Sequence, residues 1–258
     1  MEKAKLETVA RMLVDAQRLV VLTGAGMSKE SGVPTFREAH DGLWARYDPT
    51  SLATPGAFRR NPKLVWDWYT YRRELIAGSA PNPGHHALVA LEDLLPQVVI
   101  VTQNVDGFHQ QVGSSDVICL HGNIQENKCF DDCQGKPTLV DISRLEWDAE
   151  TGPPTCPYCR QALVRPNVVW FNETLPVAVL ERAQQLSQDC DVMLVIGTSG
   201  VVYPAAYLPM IAHQSGATVL EINPSPSGIS QIAVQRLAGG SGELLPLIVD
   251  LIRQLKST

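Results

Sequence analysis

The sequence predicts an α/β protein built on a Rossmann-like, doubly wound parallel sheet that carries a smaller second domain. Apolar runs that suit buried strands lie at Leu19–Thr23, Val98–Thr102 and Val192–Ile196. Each run is followed at once by small or polar residues, and open parallel sheets bind ligands at these strand ends. Amphipathic segments that suit helices open and close the chain, as a sheet covered by helices requires.

The composition fits a protein with a sizeable core. Of its 258 residues, 45% are hydrophobic, and the net charge is -6 without a cluster of Lys or Arg. A nucleic-acid partner is therefore not expected. The N-terminal residues lack the apolar core of a secretion signal, and no run approaches the roughly 20 apolar residues of a membrane span. We expect a cytoplasmic protein without a membrane partner.

The first strand is preceded by a predicted helix and followed by a tight turn. The apolar face of that helix consists of Val9, Met12, Leu13 and Ala16. The turn, Gly24-Ala25-Gly26, has little side-chain bulk, so its backbone N–H groups could approach a phosphate pair. The generic dinucleotide motif has glycine where this chain has Lys29, so the turn also suits a plain tight connection.

A long insertion separates the first two strands. An ordinary βαβ unit would reach its second strand well before the 59 residues between Arg37 and Gln97 have passed. Prolines divide the insertion into short predicted helices, at positions Pro49, Pro55, Pro62, Pro81 and Pro83.

Further strands are predicted at 117–120, 164–171 and 219–222, the second of them in the returning segment VRPNVVWF. One helix between strands has its apolar face at Leu180, Ala183 and Leu186. The closing helix has a longer apolar face, made by Leu244, Ile248, Leu251, Ile252 and Leu255. No repeat or low-complexity linker interrupts this order.

Four cysteines form two close pairs. Cys129 and Cys133 have three residues between them, and after 22 further residues Cys156 and Cys159 have two. This spacing is typical of a zinc ribbon with four thiolate ligands, and such a closed site is structural, not catalytic. Two disulfides are the alternative, and a reducing compartment disfavours them.

The segment GAGMSKESGVPTFR resembles the G-A-G-x-S-x-x-S-G-I-P-x-F-R signature of the sirtuins, which are NAD-dependent protein deacylases. Other sirtuin-like motifs follow in family order: TQNVDGFH, LHG, the two cysteine pairs, VVWFNE, GTS and INPS. The resemblance covers nearly the whole chain. One departure is the first cysteine pair, where most sirtuins have two intervening residues.

The resemblance implies a cleft for NAD, used as a co-substrate, beside one structural zinc ion. The implied NAD-binding residues are Gly24, Ala25, Gly26, Ser28, Glu30, Pro34, Thr35, Phe36, Arg37, Trp44, Gln103, Asn104, Val105, Asp106, Gly197, Thr198, Ser199, Asn223, Pro224, Ser225 and Ser241. Asn104 and Asp106 match residues that line the nicotinamide pocket. Their alternative role is to cap a turn. His109, in the same motif, is expected to pack structurally.

His121 stands in the LHG motif, where sirtuins have their general base. Imidazole titrates near neutral pH, so it can take a proton from a ribose hydroxyl and return it later. A structural histidine is the alternative. With Asn104 and Asp106, His121 completes the catalytic set that the resemblance implies.

The implied acyl-lysine site combines Tyr69 and Arg72 with the strand VVWF. Tyr69 and Arg72 are spaced i, i+3, so they share a helix face. Tyr-x-x-Arg resembles the motif of class III sirtuins, which remove succinyl, malonyl and glutaryl groups, and a guanidinium fork suits a carboxylate. A solvated helix face is the alternative. The other implied substrate residues are Ala53, Val168, Trp170 and Phe171.

The predicted function is NAD-dependent removal of acyl groups from protein lysines, releasing nicotinamide and O-acyl-ADP-ribose. A plain deacetylase, a protein ADP-ribosyltransferase and a non-catalytic NAD-sensing scaffold are the alternatives. The expected partners are acylated proteins or peptides. The expected NAD-binding domain combines 1–36, 86–124 and 166–258; residues 37–85 form the cofactor loop and helical module, and 125–165 the zinc module.

Overall fold

The computed structural model describes residues 2–33 and 47–257 as an α/β fold. Its helices are α1 Glu2–Val14, α2 Gly26–Lys29, α3 Pro49–Leu52, α4 Pro55–Arg60, α5 Pro62–Ala77, α6 Pro83–Leu94, α7 Phe108–Gln111, α8 Val177–Asp189, α9 Leu208–Gln214 and α10 Ser241–Lys256. Its strands are β1 Leu19–Thr23, β2 Val98–Thr102, β3 Val117–Cys119, β4 Gly122–Cys129, β5 Val164–Val168, β6 Val192–Ile196, β7 Thr218–Ile222 and β8 Gln235–Leu237.

Six strands form one parallel sheet in the order β3-β2-β1-β6-β7-β8. The strand order reverses between β1 and β6, which pair in register from Leu19 opposite Val192 to Thr23 opposite Ile196. This topology is the doubly wound arrangement, and its crevice at the reversal is the usual ligand position.

Helices cover both faces of the large sheet, and the side chains of each strand alternate between them. Val21 and Ile100 pack with α1, α6 and α10 on one face. Val20 and Val99 pack with α8 and α9 on the other. Because both faces are buried, β1, β2 and β6 are continuous apolar runs, which explains why the sequence reveals them.

A second, smaller set of elements packs beside the carboxyl edge of the sheet. Strands β4 and β5 pair antiparallel outside the large sheet. Helices α4 and α5 contribute Phe58, Trp68 and Tyr69 to a cluster that also contains Val168 and Trp170. The inserted helices are therefore part of the wall that faces the end of β5.

Some predicted elements differ from the structure. The strand predicted at 164–171 ends at Val168, because the N–H groups of the next three residues bond to His121, Glu173 and Ala53 and not to a neighbouring strand. The strand predicted at 117–120 ends at Cys119. Strands β4 and β8 were missed, since their sequences GNIQENKC and QRL are largely polar.

Within the described ranges, every helix is too short or too polar to cross a lipid bilayer.

Candidate active site

At the crevice where the strand order reverses, glycines of two loops pack closely against each other. The N–H of Gly26 donates to the carbonyl oxygen of Gly197 at 2.8 Å. A Cβ atom on Gly24 or Gly26 would lie 2.9 Å or less from Gly197 or Thr198. Gly197 itself has φ +60°, and a Cβ atom added to it would lie 2.5 Å from the backbone of Gly26. The first turn therefore needs glycine because the loop after β6 touches it, which the sequence analysis did not foresee.

Asn104, Ser28 and Asp106 form one hydrogen-bonded group at the end of β2. The amide nitrogen of Asn104 donates to Gly24 O at 3.0 Å and to Ser28 Oγ at 3.1 Å. Ser28 Oγ donates in turn to Asp106 Oδ2 at 2.7 Å. The other carboxylate oxygen of Asp106 accepts the N–H of Phe108 at 3.0 Å, so Asp106 also caps the turn before α7.

The charge of Asp106 is held in a buried position. Its side chain is 8% exposed, and burial raises its pKa, while bonds from Phe108 and Ser28 and the charge of Arg72 oppose that rise. Arg72 belongs to helix α5 of the insertion, so a positive charge of the insertion stabilises a carboxylate at the edge of the sheet.

His121 lies between the sheet edge and β5. Its Nδ1 atom is 2.8 Å from the carbonyl oxygen of Gln103, an atom that can only accept, so Nδ1 carries the hydrogen. The ring therefore presents Nε2 as a proton acceptor. Burial lowers the pKa of His121, which keeps the imidazole neutral near physiological pH.

Polar side chains continue along the edge toward β7. Gln103 donates to Thr198 Oγ1 at 3.1 Å, and Asn223 donates to Thr198 O at 2.9 Å. Ser199, Pro224 and Ser225 are exposed at the ends of β6 and β7. Such a row of donors and acceptors at the switch point fits a dinucleotide.

Two further residues predicted to contact NAD, Glu30 and Ser241, lie close together where α2 ends and α10 begins. The carboxylate of Glu30 accepts the N–H of Gly242 at 3.2 Å, and a favourable helix-end contact of this kind fixes the loop after α2. Ser241 is buried, and its Oγ is 3.4 Å from Met27 O. Predicted contacts at Pro34, Thr35, Phe36, Arg37 and Trp44 lie outside the described residues.

The predicted acyl-lysine residues lie together. Ala53, Tyr69, Val168 and Trp170 are buried in one cluster, while Phe171 is 44% exposed. The guanidinium carbon of Arg72 is 5.0 Å from the ring centroid of Trp68 and 5.7 Å from that of Tyr69.

The next residue along α5, Arg73, points elsewhere: its Nε donates to Ile124 O at 2.6 Å. Tyr69 is only 2% exposed, whereas Arg72 is half-buried, so the Tyr69 side chain does not lie on a solvated helix face.

A buried polar network that the sequence analysis missed supports the loop after β2. The hydroxyls of Thr23 and Thr102 are 2.7 Å apart, and Thr102 Oγ1 accepts the N–H of Asn104 at 3.0 Å. His109 Nε2 lies 3.1 Å from Thr23 Oγ1, and its ring is 5.0 Å from that of His85. His109 is 1% exposed, which confirms its structural packing.

We predict that this histidine pair makes the fold sensitive to acid. Burial lowers the pKa of His85 to about 4 and of His109 to about 3, from 6.5. The unfolded chain therefore binds more protons below pH 6.5, so stability falls as the pH drops from 6.5 toward these values. Between pH 7.5 and pH 5, each histidine should lower the free energy of unfolding by about 2 kcal/mol. Urea unfolding across this range measures it.

The variant His109→Gln isolates the contribution of one histidine. The slope of its unfolding free energy against pH, measured near pH 5, should be lower than in the wild type by about 1.4 kcal/mol per pH unit. The raised pKa of Asp106 acts with the opposite sign, but it is common to both proteins and cancels in the comparison. An unchanged slope would contradict a neutral His109 in the folded state.

The four predicted zinc ligands form one cluster. The Sγ atoms of Cys129, Cys133, Cys156 and Cys159 all lie within 4.8 Å of one another. Cys129 and Cys159 are 3.9 Å apart, as are Cys133 and Cys156, so no disulfide joins them. Tetrahedral zinc with Zn–S bonds of about 2.3 Å requires S–S separations of about 3.8 Å. The residues present fit a zinc ion, and the longer first spacing is accommodated.

We expect about one zinc ion per chain, and loss of that ion when Cys156 is changed to serine. Cys156 is fully buried beside Trp66 and Val164, so an empty site should also lower the melting temperature of the protein. Metal analysis by mass spectrometry and thermal unfolding check both effects. Cys119→Ser, a cysteine outside the cluster, is the control and should keep its zinc. Absence of zinc in undamaged wild-type protein would contradict the assignment.

Comparison with known proteins agrees with this geometry. A family model described as the Sir2 family matches residues 24–204. A protein named NAD-dependent protein deacylase from Pyrococcus abyssi is 49% identical over 247 residues, covering 96% of this chain and 98% of that protein.

Two solved structures extend the likeness to the fold. A Sir2 homologue in complex with NAD has a TM-score of 0.87 at 40% identity, covering 96% of this chain and 94% of that one. A Sir2 protein bound to a myristoylated histone peptide has a TM-score of 0.77 at 32% identity, covering 99% of both chains. The chain therefore belongs to the Sir2 family, the sirtuins.

Proposed function

We propose that this sirtuin, an NAD-dependent protein-lysine deacylase, acts preferentially on lysines that carry acidic acyl groups such as succinyl or malonyl. The observation that carries the preference is the position of Arg72. Its guanidinium lies over the rings of Trp68 and Tyr69, and its charge reaches Asp106. The products are the free lysine, nicotinamide and O-acyl-ADP-ribose. A cytoplasmic location belongs to the same proposal, because free cysteines that can hold zinc are typical of a reducing compartment.

The deacylase part rests on the family and on the nature of its neighbours. The relative from Pyrococcus abyssi bears the name of an NAD-dependent protein deacylase, and one solved neighbour holds NAD. Another neighbour holds an acylated histone peptide. The polar row from Gln103 to Asn223 supports NAD at the sheet edge, with the adenosine end toward β7 and the nicotinamide end toward Asn104.

When bound, NAD supplies a ribose carbon from which nicotinamide can leave, so that the acyl oxygen has an electrophile to attack. The side chains of this protein orient the reacting groups and move protons. His121 Nε2 accepts a proton from a ribose hydroxyl, because Nδ1 is committed to Gln103 O. Asn104 and Asp106 are held in place by Ser28 and orient the nicotinamide end.

The peptide is expected to lie along the segment after β5. The N–H groups of Val169, Trp170 and Phe171 already donate to His121 O, a Glu173 carboxylate oxygen and Ala53 O. A peptide strand added here must therefore donate its own N–H groups to carbonyl oxygens, of which those of Val168 and Trp170 already accept from Arg165 and Glu173. Such main-chain recognition tolerates many peptide sequences.

The acyl preference follows from the electrostatics of α5. Burial lowers the pKa of Arg72, and the nearby Tyr69 and Asp106 raise it. A cation that has already lost much of its hydration loses less on binding an acyl carboxylate, and the guanidinium fork can hold both oxygens. An acetyl group offers no charge to this site. Ala53 is small enough to leave room for a longer chain.

Arg72→Met tests the preference. A hydrogen bond to a charged group contributes about 1.5–3 kcal/mol, so kcat/KM on a succinyl-lysine peptide should fall about 10- to 100-fold. The same variant should keep most of its activity on the acetyl-lysine form of that peptide. Arg60→Met, an exposed arginine on α4, is the matched control. Equal losses of Arg72→Met on both peptides would reject the role in acyl selection.

A further inference from the structure

Trp170 uses the only hydrogen-bond donor of its side chain on Tyr69. The indole Nε1–H donates to the Tyr69 hydroxyl oxygen at 2.8 Å, and both side chains are 2% exposed. The two rings are tilted, with centroids 6.2 Å apart. Since an indole N–H cannot accept, the polarity of this contact is fixed, and the tyrosine oxygen is its acceptor.

The Tyr69 hydroxyl therefore still has its own proton to donate to a third group. Arg72 also acts as a donor toward Tyr69, and its guanidinium carbon is 5.7 Å from the centroid of that ring. Burial raises the pKa of Tyr69, so its hydroxyl stays protonated at all working pH values. An ionised acyl carboxylate only accepts hydrogen bonds, so it can receive the proton of a phenol in this state.

Arg165 and Glu173 hold the orientation of Trp170. The guanidinium carbon of Arg165 lies 3.2 Å from the Trp170 ring centroid. Arg165 pairs with both carboxylate oxygens of Glu173, at 2.6 and 3.0 Å. Glu173 also accepts the backbone N–H of Trp170 at 2.8 Å. Ring and backbone are thus fixed by the same ion pair, so the indole N–H keeps its direction.

We propose that Trp170 is a specificity-determining residue, which acts as a positioning residue by turning the Tyr69 hydroxyl into a committed donor for the acyl carboxylate. The inference rests on the proposed function, because an acetyl group has no carboxylate to receive that proton. It separates two roles of Trp170. The ring packs the acyl pocket for every substrate, while the N–H matters for acidic acyl groups alone.

Trp170→Phe separates these roles, because it removes the N–H and keeps an aromatic ring over Arg165. We expect kcat/KM to fall about three- to tenfold on succinyl-lysine peptide and to stay within about twofold on acetyl-lysine peptide. The loss should appear mainly in KM. Trp66→Phe, a buried tryptophan of α5 on the zinc side, is the control and should leave the ratio of the two activities unchanged.

A double-mutant cycle shows whether Trp170 acts through Tyr69. If it does, Tyr69→Phe should lower the succinyl preference, and adding Trp170→Phe should lower it no further. Additive losses, or a Tyr69→Phe enzyme with the wild-type preference, would overturn the inference even if Trp170→Phe alone proved unstable. Equal losses on both peptides would also overturn it while leaving the proposed function standing. A wild-type enzyme without succinyl preference would overturn both.

Discussion

His121→Ala is expected to lower kcat for deacylation by about 10²- to 10⁴-fold, the usual contribution of a general base. The geometry leads to this result because Nδ1 of His121 donates to Gln103 O, so Nε2 is left to accept a proton. NAD should still bind, since the polar row from Gln103 to Asn223 is unchanged. Turnover of an acylated peptide, with NAD affinity measured by calorimetry, checks both parts.

His213→Ala is the control for this experiment, because His213 is an exposed histidine on α9, remote from the site in the fold. Its kcat should match the wild type. A His121→Ala enzyme with more than about a tenth of the wild-type kcat would remove His121 from the proton-transfer step. Loss of NAD binding in that variant would instead assign His121 a binding role.

Arg165→Met is expected to lower the free energy of unfolding by about 3 kcal/mol, the lower end of the cost of breaking a buried ion pair. Arg165 is 1% exposed, whereas its partner Glu173 is 26% exposed and keeps part of its hydration. The substitution leaves the Glu173 carboxylate without its cation and removes the support beneath Trp170. Urea unfolding at neutral pH measures the change.

Adding Glu173→Gln to Arg165→Met should recover part of the loss, because the uncompensated carboxylate is then removed. The neutral amide can still accept the N–H of Trp170. A double variant that is less stable than Arg165→Met alone would contradict this account, and would show that Glu173 stabilises the loop without its arginine.

The sequence predicts the large sheet well because its strands are local signals. Each apolar run, such as Val192–Ile196, has few other ways to be buried, and the polar residues that follow it mark the carboxyl edge. Strands such as β4 were not predicted because their sequence is largely polar, although only two of the eight residues of β4 are exposed. The zinc ligands are also predicted by a local signal, because metal geometry restricts the spacing within each pair of cysteines.

The contacts on which the proposed acyl specificity rests could not be predicted, because they join distant parts of the chain. Trp170 and Tyr69 are separated by 101 residues, and the sequence contains no sign that an indole would donate to that phenol. The same holds for Gly197, whose approach explains Gly24 and Gly26 better than phosphate binding alone. Buried histidines such as His85 lack a local signature, because burial depends on tertiary packing.

A direct competition between two substrates tests the central claim. One reaction would contain equal amounts of succinyl-lysine and acetyl-lysine peptides of the same sequence, limiting enzyme and excess NAD. Mass spectrometry would follow their disappearance, and the ratio of the initial rates equals the ratio of kcat/KM. We predict that the succinyl peptide is consumed at least about tenfold faster, as the contact between Arg72 and a carboxylate implies. Faster consumption of the acetyl peptide would contradict the account and leave a sirtuin deacetylase whose Tyr69 and Arg72 serve packing.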